Sequence, residues 1–225
     1  MKAGWELKLI SEFAQTGAGG TPTKGTSEYY DGGTIPWLLS GEVANANITE
    51  ATKFITEKGL AASSAKLFPK GSVLVAMYGA TAGEVGILRF EASTNQAVCA
   101  IKPNKDYVTE YLYYYLLKAK ALLASQATGG AQPNISQAKI KSLPIPLPPL
   151  EEQKRIVSIL DEAFEGLDRA RENAEANLKS ARELYRACLT NLTIRSVDAK
   201  EIPLVDAIVP SSSITYGVVK PGPEG

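Results

Sequence analysis

The 225-residue sequence contains no histidine. That excludes Ser-His-Asp and Cys-His nucleophilic catalysis and every His-ligated metal site. Cysteine is almost as scarce. Cys99 and Cys188 are the 2 in the chain, too few for a Cys-rich zinc site and too far apart in sequence to read as a disulfide framework, so reduced thiols are expected. No apolar run approaches the roughly 18 residues that a membrane span requires. The opening MKAGWELKLI has neither the apolar stretch nor the cleavage site of a signal peptide, and a cytoplasmic protein is expected. An excess of one charge is also missing, because 24 Lys+Arg face 24 Asp+Glu. The chain therefore lacks the strong basic excess that most simply signals nucleic-acid binding. The distribution is less even, with 14 basic against 11 acidic side chains over residues 1–149.

What is present suffices for a core, since 44% of residues are hydrophobic and 21% charged, as in ordinary globular proteins. Residues 1–148 read as an α+β domain. Short apolar runs at 35–39, 72–78, 85–90 and 96–101 are separated by Gly, Asn and Ser clusters, the pattern of strands joined by turns. One helix is predicted over residues 109–124 (TEYLYYYLLKAKALLA), which open on a capping Thr followed by Glu and contain no breaker. Four prolines at 144, 146, 148 and 149 then forbid helix. Glu151 and Glu152 follow at what becomes the positive end of a helix dipole.

From about Glu151 to Thr193 a single helix is expected, roughly 60 Å long at about 1.5 Å per residue. Its apolar positions, Ile156, Leu160, Ala163, Leu167, Ala170, Ala174, Ala181, Leu184 and Cys188, fall on alternating three- and four-residue steps, with Asn177 as a polar member. That is a heptad seam. A long amphipathic helix laid on its own domain is the competing reading. The small seam residues favour pairing with a second long helix as a coiled coil, with Leu160, Leu167, Ala174, Ala181 and Cys188 as contacts. Residues 196–225 read as the opening of another domain, too short to fold alone.

No catalytic motif stands out. Residues 17–22 (GAGGTP) lack the spacing of a phosphate-cradling G-x-x-x-x-G-K-S/T loop, and 79–86 (GATAGEVG) have no capped helix behind them, so tight turns are the plainer reading of both. There is no acidic nuclease-like cluster and no N/D-P-P-F/Y methyltransferase motif. The loops do carry short polar donors and acceptors, a lysine and aromatics. Thr21, Lys24, Tyr29, Tyr78, Thr81, Asn95, Gln96, Gln132 and Asn134 are the candidate DNA-binding residues, since amides and lysines read base edges and phosphates. Trp37 and Asn95 have a structural reading as well.

The order of the motifs resembles the specificity subunit of type I restriction-modification systems. The resemblance rests on residues 19–22 (GGTP), 35–37 (IPW) leading to Ser40 and Gly41, Gly79 with Gly83 and Gly86, 94–96 (TNQ), Ile135 with Ser136, and most specifically 145–156 (IPLPPLEEQKRI). It covers one target recognition domain, one long conserved-region helix over 149–195 and a stub of a second recognition domain, where a full member has two domains and two helices. An expressed half or a naturally truncated subunit is therefore expected. The resemblance implies a non-catalytic reader of one half of a bipartite double-stranded DNA target, which docks methyltransferase (modification) subunits and, through them, restriction subunits. S-adenosylmethionine, ATP and Mg²⁺ would belong to those partners, with no cofactor here. Two copies are expected to pair through the helix. A coiled-coil scaffold without DNA specificity is the alternative.

Overall fold

The computed structural model describes residues 4–44, 46–125 and 134–194. Gln132 and the stub expected from residue 196 lie outside the described residues. Two compact units are distinguished, the first ending at Phe164 and the second beginning at Glu165.

The first unit runs through β1 (Glu6–Leu9), α1 (Ile10–Phe13), β2 (Thr16–Ala18), β3 (Ile35–Leu38), β4 (Asn47–Ile48), β5 (Phe54–Ile55), α2 (Glu57–Ala61) and β6 (Leu67–Phe68). It continues with β7 (Val73–Ala76), β8 (Val85–Leu88), β9 (Ala92–Thr94), β10 (Val98–Ile101), α3 (Thr109–Ser125), α4 (Gln137–Lys141) and β11 (Pro144–Leu147), and ends within α5 (Leu150–Ile194). The α+β class expected from the sequence is what forms, with a long C-terminal helix. Strands make a five-stranded sheet ordered β2-β10-β7-β8-β4, a four-stranded sheet ordered β5-β3-β9-β6, and the antiparallel pair β1-β11.

The wholly apolar character of β7 and β10 has a direct cause. Val73, Val75, Cys99 and Ile101 pack in one cluster with Tyr111, Leu112 and Leu116 of α3. Their alternating neighbours Leu74, Ala76, Val98 and Ala100 pack in another, with Leu38 of β3 and Phe68 of β6. Strands covered on both faces lose the polar alternation of a half-exposed strand. Burial also pushes the Cys99 thiol up to about 12, so it behaves as a core hydrophobe.

The proline segment is held as an edge strand. Among the described residues β11 pairs only with β1, and missing N–H groups cost nothing on the open side. Two tyrosines of α3 anchor it, the Tyr111 hydroxyl donating to the Pro146 carbonyl and that of Tyr115 to Pro144 (3.1 Å). The start of α5 is held just as firmly. Gln153 is fully buried, accepts from the Val108 amide (2.8 Å) and donates to the Pro148 carbonyl (2.8 Å). Further along, Tyr114 donates to Asp161 and stacks on Phe164 with ring centroids 5.6 Å apart. These contacts carry the compact unit past the proline boundary to Phe164, and Ile156 of the predicted seam packs against the domain core.

In the second unit, Glu165 to Leu192 are exposed on every side of the helix apart from the partly covered Gly166. Leu167 is 63% exposed and Leu184 66%. The apolar surface is wider than one seam. Leu178, Tyr185 and Leu192, the last 74% exposed, form a further seven-residue column flanking the column of Leu167, Ala174, Ala181 and Cys188. No described helix is long and apolar enough to cross a membrane.

Candidate nucleic-acid interface

The GGTP segment is where the two larger sheets meet. A side chain at Gly19 would place its Cβ 2.0 Å from the Thr94 carbonyl oxygen, and one at Gly20 would lie 2.4 Å from the Ala65 amide nitrogen. Only glycine permits that approach. The Gly20 amide donates to the Thr94 carbonyl (2.9 Å), and the Gly20 carbonyl accepts from the Trp37 indole N–H (2.9 Å). The Tyr30 hydroxyl donates to the Pro22 carbonyl (2.6 Å), so two aromatic rings hold the loop by their polar ends. The rings meet edge to face, 6.1 Å between centroids.

Beside this loop opens a cavity of about 610 Å³. Its deeper lining is apolar, from buried Trp37 and half-buried Tyr30 and Leu39. Its outer lining comes from exposed Lys24, Lys53, Phe54 and Gln96. Thr21, Gly25 and Asn95 complete it, and among the described residues no Asp or Glu joins the lining. Two strand pairings bring these positions together. β3 carries Trp37 and pairs with β5, which carries Phe54, and with β9, which leads into Asn95 and Gln96. Neither Lys24 nor Lys53 has a salt-bridge partner among the described residues, whereas Lys58 pairs with Glu28 (3.0 Å) and Lys120 with Glu84 (2.6 Å).

Four of the nine residues expected from the sequence, Thr21, Lys24, Asn95 and Gln96, line this cavity. Asn95 is also structural, its side-chain oxygen accepting from the Ala97 amide (3.1 Å) and its backbone N–H donating to Leu38 (2.9 Å). Tyr78, Thr81 and Asn134 gather elsewhere, around a turn made possible by Gly79 and Gly83 at φ of 73° and 88°. Tyr78 and Asn134 form an isolated antiparallel bridge, and the Thr81 hydroxyl donates to the Tyr78 carbonyl (3.4 Å). A backbone bond from Met77 to Ala97 (2.8 Å) ties this second loop to the turn that carries Asn95 and Gln96. Tyr29 does not line the cavity. It sits on the 3₁₀ turn Ser27–Tyr29, where its carbonyl accepts from Thr56 (2.9 Å). Leu39, Lys53 and Phe54 join the site without having been expected from the sequence. The available signal was Phe54, an exposed aromatic next to a lysine on a short edge strand.

An apolar cavity edged by unpaired cations and amides suits a planar, acceptor-bearing, anionic ligand, the chemistry of nucleic acid. Comparison with known proteins agrees. The family model for the type I restriction modification DNA specificity domain matches residues 2–178. The MjaIX type I restriction enzyme specificity subunit of Methanocaldococcus jannaschii is 32% identical over 81% of this chain and 43% of its own length. The EcoR124I/EcoR124II specificity subunit of Escherichia coli is 30% identical over 69% of this chain and 40% of its own length. This chain thus spans less than half the length of these curated relatives. Among solved structures, the HsdS subunit from Thermoanaerobacter tengcongensis superimposes with a TM-score of 0.63 at 25% identity, covering 85% of this chain and 45% of that one. With the family match spanning both the GGTP loop and most of the described helix, this chain belongs to the type I restriction modification DNA specificity domain family.

Proposed function

We propose that this protein is a sequence-specific DNA recognition subunit that reads one half of a bipartite target and carries out no chemistry itself. The observation that carries the reading is the cavity lining, in which two lysines without carboxylate partners among the described residues stand beside the exposed amide of Gln96 on the domain matched by the family. Lysines of this kind contact phosphates and release counterions, while amides read base edges. Affinity for duplex DNA is expected to fall steeply with salt. Replacing both Lys24 and Lys53 with alanine should flatten the plot of log affinity against log salt by about 2 in slope, as for two lost phosphate contacts. A salt-independent interaction would instead point to a protein-binding scaffold.

In this reading the partners supply the catalysis. Modification subunits dock on the chain, bring S-adenosylmethionine and methylate adenine, and restriction subunits join through them with ATP and Mg²⁺, all in the cytoplasm. The chain needs no cofactor. Two copies pair through α5, which would bring two recognition domains to one target. The wide apolar surface of the helix supports this pairing. Sedimentation at micromolar concentration should show a dimer, and Leu178→Glu should shift it to monomer with the fold intact, because Leu178 is 54% exposed in the single chain.

A further inference from the structure

The polar groups of the cavity are not divided evenly between donors and acceptors. The polar ends of Tyr30 and Trp37 are occupied by the Pro22 and Gly20 carbonyls. The side-chain oxygen of Asn95 accepts from the Ala97 amide, and that of Gln96 accepts from the Thr21 hydroxyl. The groups left for a ligand are chiefly donors, the amide NH₂ groups of Gln96 and Asn95 and the ammonium groups of Lys24 and Lys53, which outweigh the acceptor lone pairs kept by the Thr21 and Tyr30 hydroxyls, and they stand beside the carbon surfaces of Leu39 and Phe54. A site of this composition discriminates among base edges. In the major groove adenine and cytosine each present an amino donor, which would meet other donors here. Guanine presents acceptors but no apolar group. Thymine presents the O4 acceptor next to the C5-methyl.

We infer that the cavity reads a thymine edge, with the Gln96 amide donating to O4 and Phe54 covering the C5-methyl. Thr21 acts as a positioning residue, holding the Gln96 oxygen so that the NH₂ is presented. This inference rests on the DNA-reading function proposed above and names the base that the cavity selects.

The test uses the chain assembled with its modification subunits, on duplexes carrying the target found by methylation mapping. Each thymine of the half-site is replaced in turn by deoxyuridine, which removes only the methyl group. At one position the wild-type complex should lose about fourfold in affinity, the size expected for one methyl no longer taken out of water. In Phe54→Ala, whose side chain is 43% exposed and carries little of the core, that same replacement should have no further effect. Gln96→Glu, which exchanges the donor for an acceptor, should lose affinity for thymine at that position and recover it with cytosine, whose amino group a carboxylate accepts. Specific binding with no methyl-sensitive thymine, or with a methyl effect that persists in Phe54→Ala, overturns the inference and leaves the DNA-reading function standing. Equal binding to target and unrelated duplexes overturns both.

Discussion

Gly19→Ala is expected to destabilise the recognition domain by about 3 kcal/mol or more, toward the severe end for a single added methyl group. The added Cβ would lie 2.0 Å from the Thr94 carbonyl oxygen and 2.3 Å from its side-chain oxygen, and Thr94 is fully buried at the end of β9. Neither neighbour is a flexible side-chain tip. Relief requires shifting the loop or the strand, and either movement breaks the Gly20–Thr94 bond and displaces the carbonyl that Trp37 holds. Urea unfolding should show a lower midpoint at unchanged slope. Gly41→Ala provides the contrast. Gly41 belongs to the same set of recognisable glycine motifs, but a Cβ there meets nothing within 4 Å, so a change of no more than about 0.5 kcal/mol is expected.

Gln153→Leu should cost about 2 to 4 kcal/mol, because one substitution leaves two backbone groups without partners. The Val108 amide loses its acceptor and the Pro148 carbonyl its donor, at a position with no access to water through Gln153 itself. Leucine fills similar volume, so the loss reports on hydrogen bonding more than on a cavity. Native-state hydrogen exchange should localise it. The Val108 amide, at the entrance to α3, should lose protection more than amides in the middle of β7 and β10. The Gln in the EEQKRI motif is thereby assigned a physical task, that of tying the first turn of α5 to both the proline strand and α3.

The parts of the fold that sequence could reveal are those governed by local rules. The runs read as strands at 35–39, 72–78, 85–90 and 96–101 contain β3, β7, β8 and β10, and the helix predicted over 109–124 forms over Thr109–Ser125. Prolines 144–149 and the acidic pair after them mark the start of α5 within one residue. The site was less legible because it is assembled by pairing. Phe54 opens a two-residue strand with no flanking turn signal, Lys53 directly precedes it, and only the antiparallel pairing of β5 with β3 brings them to Trp37. Gln153 was hidden for the opposite reason. It follows Glu151 and Glu152 in the first turn of a charged helix and looks like part of that solvated face, yet tertiary packing buries it completely. On α5 the expected seam ran through Ala170, Asn177 and Leu184, and the apolar column at Leu178, Tyr185 and Leu192 went unread because periodicity alone does not choose between two overlapping heptad faces.

The most direct test of the central claim is to map adenine methylation in DNA after co-expressing this chain with its modification subunit. New methylation is expected at a bipartite, palindromic sequence, one half read by each copy of the chain. No new methylation despite a stable complex with the modification subunit would contradict it.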